Sequence, residues 1–296
     1  MHHTIALSIL IPVFRRDCRP LLEELQAQAK KLSVGYEIIL GDDCSGEPFT
    51  SVYATYQQEG LCRVFTPHQN MGAGRLRNAL AQEAQGDQLL ILDSDTMPAS
   101  ANFLARYLQQ ASADEAVCGG FIYPPTLDNP LRQRYGERVE SKPAVERAKA
   151  PHAGFVSMAF MIPRTTMLAT GFPPNMGMGY EDLLFGEHLR LAGVALRHFD
   201  NPVEHHNCDT PAEFLSTTRR YIDNLHRHQE ELGSLVRLAR AYRKLHNWHL
   251  ADIAAALWPP LRPLLERQLT GAHPSLRLFN LYKLLYLASI SSPRKG

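Results

Sequence analysis

The sequence predicts an α/β fold with a mainly parallel sheet, followed by a helical appendage at the C-terminus. Short apolar runs alternate with amphipathic stretches over the first 110 residues, at the spacing of repeated βαβ units. Polar turns follow the apolar runs, as expected where buried strands end. From Pro211 onward the pattern is helical to the end of the chain.

The elements are predicted in the following order. Strands are expected at 5–11, 36–40, 63–65, 88–92, 117–122, 155–162 and 195–199. Helices are expected between them at 20–32, 48–58, 73–84, 99–110 and 181–192. A long polar stretch at 124–151 is typical of a functional or mobile loop. We expect an α/β domain in residues 1–210 and a helical region in 211–296, with a helix break at 258–260.

Composition excludes several classes of protein. The 296 residues are 45% hydrophobic and 21% charged, as in soluble globular proteins. A net charge of +1 and the lack of a basic tract argue against a nucleic-acid partner. The five cysteines form no CxxC pair, which fits a reducing cytoplasm better than a zinc ribbon or a disulfide framework. The apolar stretch 5–13 predicts a core strand rather than a signal peptide, and no run is long enough for a transmembrane helix.

Polar turns follow the predicted strands at the positions where such sheets bind ligands. In open α/β sheets, ligands bind outside the carboxyl ends of the strands. This rule places four segments along one edge, namely 12–15, 41–45, 68–72 and 93–95. Pro12 fixes the first exit turn. The segment Asp42–Ser45 fits either a simple Asx turn or a carboxylate that accepts a hydrogen bond from a nucleotide base.

The segment before the third helix combines glycine with arginine. Asn70, Gly72 and Gly74 precede Arg75 and Arg77, but neither a GxGxxG nor a GK[ST] motif is present. Two interpretations therefore stay open. Gly72 caps the helix beside solvated arginines, or the helix N-terminus and the arginines bind an anion.

Two pairs of acidic residues are candidates for chemistry. Asp93 and Asp95 follow a buried strand, and oxygen ligands at i and i+2 can hold Mg²⁺ or Mn²⁺ while leaving positions for phosphates. An exposed Asx turn has the same pattern. Glu181 and Asp182 begin a helix, where they would complement the helix dipole or supply a general base.

Two histidines follow the last predicted strand. His205 or His206 could complete a metal site that Asp95 begins. A single histidine is more often structural than a ligand, but its place after a strand favours function here.

Taken together, these segments resemble family 2 glycosyltransferases, which have the GT-A fold. The resemblance rests on Ser8–Val13, Asp42–Ser45, Asn70–Gly72 with Arg77-Asn78, and Leu92–Asp95. The segment GMGYEDLLFGEHLRLAG and the following VEHHN resemble the Glu-Asp segment and later histidine of the β-1,4-galactosyltransferase-like branch. The resemblance covers roughly residues 5–207 and implies a Rossmann-like sheet and a hexosyltransferase activity.

The resemblance also implies a role for each candidate residue. The nucleotide sugar would be bound by Pro12, Phe14, Asp42, Asp43, Asn70, Gly72, Arg77 and Asp93. Among these, Asp43 would bind the base with support from Asp42, Arg77 would lie near the diphosphate, and Asp93 would contact the ribose or the metal. The divalent metal, Mn or Mg, would be bound by Asp95 and His205.

Two further roles concern the acceptor. Glu181 would hold it, and Asp182 would remove the proton from its hydroxyl group. Phe14-Arg15 stand where the family commonly has Tyr-Asn, which leaves the base contact open.

The implied reaction is a metal-dependent, inverting transfer of a sugar from a nucleoside diphosphate, with UDP as the first expectation. The acceptor would be a glycan or a lipid-linked glycan, as in polysaccharide biosynthesis. A nucleotidyltransferase is an alternative, but IPVFRRDCRP lacks the glycines of a triphosphate-binding loop. A non-catalytic sugar-binding protein of the same fold is another, although both acid pairs are retained.

The expected location is cytoplasmic, and the C-terminal helices leave two interpretations open. Leucines and other apolar residues of 278–288 recur at helical spacing among basic residues. This pattern favours packing against the α/β domain. The alternative is a peripheral contact with the inner face of the membrane.

Overall fold

The computed structural model describes residues 5–124, 128–177, 179–206 and 209–292. These residues form two compact units. Unit 1 comprises Met1–Pro124, Ser141–Asn175 and Glu181–His206, and unit 2 comprises Pro125–Glu140, Met176–Tyr180 and Asn207–Gly296. Unit 2 thus includes two short segments that precede residue 210, and the division at that residue stays a prediction.

The strands of unit 1 form two sheets. They are β1 (Ile5–Val13), β2 (Gly35–Asp42), β3 (Arg63–Phe65), β4 (Gln88–Leu92), β5 (Thr96–Pro98), β6 (Glu115–Cys118), β7 (Phe121–Ile122), β8 (Ala159–Pro163), β9 (Ala195–His198) and β10 (Val203–His205). The main sheet has the order β3-β2-β1-β4-β8-β6-β9, and β8 is antiparallel to both β4 and β6. The other pairs in it are parallel, which confirms the prediction of a mainly parallel sheet.

The helices account for much of the remaining chain. They are α1 (Arg19–Ala29), α2 (Phe49–Gln58), α3 (Ala73–Glu83), α4 (Phe103–Leu108), α5 (Pro130–Tyr135), α6 (Ala144–Arg147), α7 (Arg164–Thr170), α8 (Glu181–Leu191), α9 (Pro211–Arg227), α10 (Gln229–Leu232), α11 (Arg237–Asn247), α12 (Ala251–Leu269) and α13 (Leu276–Ser291). The helices from α9 onward confirm the predicted C-terminal helical region.

The apolar runs of β1 and β4 form the centre of unit 1. Residues 9–11 and 89–92 are fully buried. This continuous burial is expected for strands covered on both faces, which lack the alternation of a half-exposed sheet. On one face, α3 inserts Leu76 and Leu80 into a cluster that also contains the aromatic rings of Phe160, Phe172 and Phe185. The sheet therefore fixes the positions at which β1, β2 and β4 end.

A second sheet, with the order β5-β10-β7, was not predicted. β10 is antiparallel to β5 and parallel to β7. The predicted strand 117–122 is in fact two strands in different sheets, with Gly119 and Gly120 between them. Gly120 has a φ of +80°, which glycine adopts without the steric cost other residues incur. The chain therefore changes sheet at this point.

The stretch 124–151 is not one long loop. Its described residues form α5, a π-helical turn at Gly136–Glu140, and α6. Asn129 begins α5 as an N-cap, with its Oδ1 accepting from the backbone N–H of Arg132 at 3.0 Å. The polar residues therefore lie on short helices, whose few turns give little periodicity from which a helix could be predicted.

The predicted helix break at 258–260 was wrong. Helix α12 continues through Pro259, Pro260 and Pro263. All three prolines are exposed, so the carbonyl groups that lose a hydrogen bond lie on the solvated side of the helix. The opposite side of α12 packs on α13, with the Trp258 and Tyr282 rings 5.0 Å apart.

Candidate active site

The turns after β2 and before α3 are joined by one carboxylate. Both oxygens of Asp43 accept backbone hydrogen bonds, from Met71 and Gly72, each at 2.8 Å. The side chain of Asn70 donates in return to the main-chain oxygen of Asp43 at 2.8 Å. Asp43 is 4% exposed. The structure thus brings together three of the residues predicted to face the nucleotide, and Asp43 holds the turn that opens α3.

The neighbouring Asp42 forms an Asx turn. Its Oδ1 accepts from the backbone N–H of Ser45 at 2.9 Å, and Cys44 between them has a φ of +61°. The Oγ of Ser45 accepts from the backbone N–H of Arg15 at 2.8 Å. The turns after β1 and β2 therefore lie side by side. This is the simple turn that the sequence had left as one of two interpretations of Asp42.

The turn after β1 presents an aromatic ring to solvent. Pro12 pairs with Gly41 at the end of the β1–β2 ladder. Phe14 is 49% exposed, and the guanidinium of Arg15 lies 5.0 Å from the centre of its ring. An exposed ring at the carboxyl edge of a parallel sheet is available to stack on a planar ligand.

Arg77 projects from α3 and is buried at the same edge. It is 3% exposed, donates to Oδ1 of Asp93 at 2.5 Å, and lies over the ring of Phe172 at 5.1 Å. Its Nε and Nη1 have no hydrogen-bond partner among the described residues. Burial lowers the pKa of Arg77 because it disfavours the charged form. The negative charges of Asp93, Asp182 and Glu181 outweigh this effect and hold the pKa above its usual range. Asp93 is therefore the ion-pair partner of this buried cation, and the charges of Asp182 and Glu181 act on it as well.

The acids after β4 have different partners. Burial raises the pKa of the Asp93 carboxyl group, and the charge of Arg77 opposes this change. Burial also acts on Asp95, but the hydrogen bond and charge of His205 outweigh it and lower the pKa of that carboxyl group. The side chains of Asp93 and Asp95 are 24% and 27% exposed. One acid therefore pairs with α3 and the other with β10.

The second sheet positions His205 beside Asp95. His205 lies opposite Thr96 in the β10–β5 ladder, which places its Nε2 3.2 Å from Oδ2 of Asp95. His205 is 5% exposed, and its Nδ1 has no partner within the described part of the chain. His206 instead places its Nε2 3.4 Å from Glu204. Of the two histidines, His205 is thus the one whose side chain contacts Asp95.

The Glu181-Asp182 pair lies at the N-terminus of α8. Oδ2 of Asp182 accepts from the backbone N–H of Ser157 at 3.0 Å. Oε2 of Glu181 is buried and has no partner among the residues described. Burial, together with the charge of Asp182, raises the pKa of Glu181 to about 7, against the opposing charge of Arg77. A carboxyl group with such a pKa exists in both protonation states near neutral pH.

The described residues contain no group of three or more His, Cys, Asp or Glu side chains arranged to hold a metal ion. Asp95 and His205 form a contacting pair, and Asp93 is engaged by Arg77. Sequence reasoning missed Arg16, whose charge also lowers the pKa of Asp95. Its place beside Arg15 in the first exit turn was the available signal.

The mainly parallel sheet, with Asp93 and Asp95 directly after its strand β4, has the arrangement expected of the GT-A fold. The model of the family described as "Glycosyl transferase family 2" matches residues 8–171. The chain belongs to this family. The match ends before Glu181, so it does not confirm the β-1,4-galactosyltransferase-like segment.

One relative and two solved structures support this assignment. An "Uncharacterized glycosyltransferase" of Haemophilus influenzae is 33% identical over 108 residues, which are 35% of this chain and 35% of that protein. The match thus spans about a third of the relative's length.

The first of the structures is a mannosyltransferase of Pyrobaculum calidifontis in complex with GDP-Man and Mn²⁺. It has a TM-score of 0.57 and 15% identity over 98% of this chain and 87% of that chain. The second is glucosyl-3-phosphoglycerate synthase of Mycobacterium tuberculosis in complex with Mn²⁺, UDP and glucosyl-3-phosphoglycerate. It has a TM-score of 0.52 and 19% identity over 75% of this chain and 78% of that chain. At these identities the likeness shows the fold, and it confirms the GT-A prediction.

A search of the described helices finds none with the length and apolar character needed to cross a membrane.

Proposed function

We propose that the protein transfers a hexose from a nucleoside diphosphate sugar to a hydroxyl group of a glycan or a lipid-linked glycan, with inversion at the anomeric carbon. The observation that carries this proposal is the buried Arg77, which is ion-paired with Asp93 at 2.5 Å and whose pKa is also held high by the charges of Asp182 and Glu181. At this edge of the sheet, Arg77 offers positive charge to the departing diphosphate. The carboxylates can accept the proton of the incoming hydroxyl group. Glu181-Asp182 then acts as the β-1,4-galactosyltransferase-like pair.

The nucleotide binds along the turns after β1 and β2. Phe14, which is 49% exposed, offers its ring to the base, and Asp43, supported by Asp42, binds the base from the next turn. Each carboxylate oxygen of Asp43 keeps a lone pair beyond the backbone hydrogen bond it accepts. The two similar structures were determined with GDP-Man and with UDP, and UDP is our first choice of nucleotide.

A divalent cation, Mn²⁺ or Mg²⁺, is held by Asp95 and His205. The residues present fit a pair of metal ligands, because Nε2 of His205 and Oδ2 of Asp95 face each other at 3.2 Å and imidazole nitrogen and carboxylate oxygen are both ligands of such ions. Both similar structures contain Mn²⁺. When bound, the cation supplies positive charge that stabilises the diphosphate leaving group.

The acceptor is activated at the start of α8. The backbone N–H of Ser157 orients Asp182, which takes the proton from the acceptor hydroxyl group. Glu181, with its pKa near 7, holds the acceptor by donating a hydrogen bond in its protonated form. One base is enough to activate the acceptor hydroxyl group, which attacks the anomeric carbon on the face opposite the diphosphate. The reaction is therefore a single displacement, and it inverts the configuration at that carbon.

The proposal is tested by a panel of UDP-sugars and GDP-sugars, scored for donor hydrolysis and for transfer to glycan acceptors with Mn²⁺ and after chelation. We expect turnover of a UDP-sugar that chelation abolishes. Asp182→Asn should lower turnover by about 10²- to 10⁴-fold while donor affinity survives. The matched control is Glu187→Gln, which changes an ion-paired acid on the same helix.

Other outcomes would contradict the proposal. Release of pyrophosphate from a nucleoside triphosphate and a sugar phosphate would identify a nucleotidyltransferase. Unchanged turnover in Asp182→Asn, with weaker donor binding, would make Asp182 a binding residue. Full activity of an Asp95→Ala variant after chelation would remove the metal from the mechanism.

A further inference from the structure

Helix α12 of unit 2 has two apolar faces. One face is buried and packs on α13, with α9 also in contact. It consists of Ala251, Ala254, Trp258, Leu265 and Leu269. The other face is exposed and consists of Ile253, Ala256, Leu257, Pro260 and Leu264. The exposed residues follow the spacing i, i+3, i+4, i+7 and i+11, so they form one continuous apolar face along the helix.

The exposure of this face is large. Ile253 is 58% exposed, Leu257 43% and Leu264 65%. Trp248 and Leu250, in the turn that leads into α12, are 67% and 40% exposed. We call Trp248, Leu250, Ile253, Leu257 and Leu264 together the α12 stripe. Contiguous exposed apolar residues of this kind mark an interaction surface.

Helix α13, where the sequence had suggested a membrane contact, is different. It buries Phe279, Tyr282, Leu285, Leu287 and Ala288. These five side chains serve packing within unit 2. Leu281 is 38% exposed, but the longer exposed apolar face lies on α12.

The segment before the stripe is strongly basic. Residues 232–251 contain no Asp or Glu, and α11 exposes the side chains of Arg237, Arg240, Arg243 and Lys244. Helix α11 packs against α12, so the basic segment is a direct neighbour of the helix that carries the stripe. Because the whole chain has a net charge of only +1, the basic character is local.

We propose that the α12 stripe and the basic face of α11 dock on an anionic lipid bilayer, with α12 lying in the plane of the interface. Leucine and isoleucine enter the boundary of the acyl chains, Trp248 lies at the headgroup level, and the arginines meet anionic headgroups. A second copy of the chain fits this surface less well. A two-fold contact through the stripe would bring the two basic α11 helices toward each other.

This proposal does not rest on the proposed transfer reaction, and its test uses no substrate. The full chain is floated with vesicles of phosphatidylcholine alone and of phosphatidylcholine with phosphatidylglycerol, at low and at high salt. We expect binding to the anionic vesicles that weakens with salt.

Variants separate the two contributions to binding. Leu257→Gln with Leu264→Gln should weaken vesicle affinity by about tenfold or more. Arg237→Gln with Arg240→Gln should weaken it by about fivefold for each charge removed, on anionic vesicles only. The matched control is Leu191→Gln in unit 1, where the side chain is 69% exposed, and its affinity should be unchanged. Because the substituted positions are exposed, thermal melting should show all variants to be folded.

Three results would overturn the proposal. The first is failure of the intact chain to float with anionic vesicles at low salt. The second is undiminished flotation of the Leu257→Gln, Leu264→Gln variant. The third is a dimer in light scattering that the same variant dissociates, without vesicle binding, which would identify the stripe as an interface between copies.

Discussion

The unpartnered Glu181 predicts an unusual dependence of stability on pH. Burial and the charge of Asp182 raise its pKa from 4.5 to about 7 in the folded protein. A carboxyl group whose pKa is raised by folding stabilises the protein fully below its unfolded pKa, and this stabilisation is lost as pH rises through the folded pKa. Stability should therefore fall as pH rises from about 4.5 to about 7, and the full cost of ionising Glu181 is present above pH 7.

The substitution Glu181→Gln removes this cost. Its magnitude follows from a difference of about 2.5 pKa units at about 1.4 kcal/mol per unit, which gives roughly 3 kcal/mol as an upper figure. We expect the variant to unfold at about the same urea concentration as the wild type near pH 4.5. At pH 8 its free energy of unfolding should be higher than that of the wild type, by up to the same amount.

The assay is urea unfolding at several pH values, with the slope of the transition compared between proteins. The control is Glu187→Gln, because the ion pair with Arg190 lowers the pKa of Glu187. This control should leave stability unchanged or lower it slightly at pH 8, the opposite sign. The reasoning is refuted if Glu181→Gln and the wild type show the same pH dependence of stability.

Two further predictions concern turns that position the site. Asp43→Asn should lower stability by about 1–3 kcal/mol, because an amide offers one oxygen to two backbone N–H donors. Asp42→Asn should lower stability less, because the one hydrogen bond that the Asp42 side chain accepts survives this change. Equal losses of unfolding free energy for the two variants in urea would contradict this explanation. Gly120→Ala should lower stability more than Gly193→Ala, although both glycines have a positive φ. The reason is that a Cβ at position 120 would lie 2.6 Å from the buried guanidinium of Arg147. Nothing lies within 4 Å of the Cβ at Gly193, so equal melting temperatures for the two variants would refute the packing argument.

The main sheet was predictable because its strands carry strong local signals. The bounds of β3 and β4 agree with the prediction, and β1 differs from it only by two further residues, Pro12 and Val13. A continuous apolar run that ends in a polar turn is produced by burial on both faces, whatever the neighbouring strands are. The same signal places Asp93 and Asp95 at the edge of the sheet.

The second sheet was not predictable, for an equally physical reason. Its strands β5, β7 and β10 have only two or three residues each, too few to show alternation. They are held by pairing between distant segments, as shown by the contact of His205 with Asp95 across 110 positions of the chain. The double hydrogen bond of Asp43 to the turn before α3 is non-local in the same sense.

These non-local contacts change how the two acids after β4 should be understood. In the sequence, Asp93 and Asp95 form one motif, from which the resemblance implies that Asp95 binds the metal and Asp93 contacts the ribose or the metal. In the structure, Asp93 is bound to the buried Arg77, whereas Asp95 contacts His205. Removing a partner of a buried ion pair leaves an uncompensated charge, so Asp93 is tied to the stability of α3 as well as to ligand binding. Asp95 contacts His205 and is not paired with a buried arginine, which supports the proposal that Asp95, rather than Asp93, binds the metal ion.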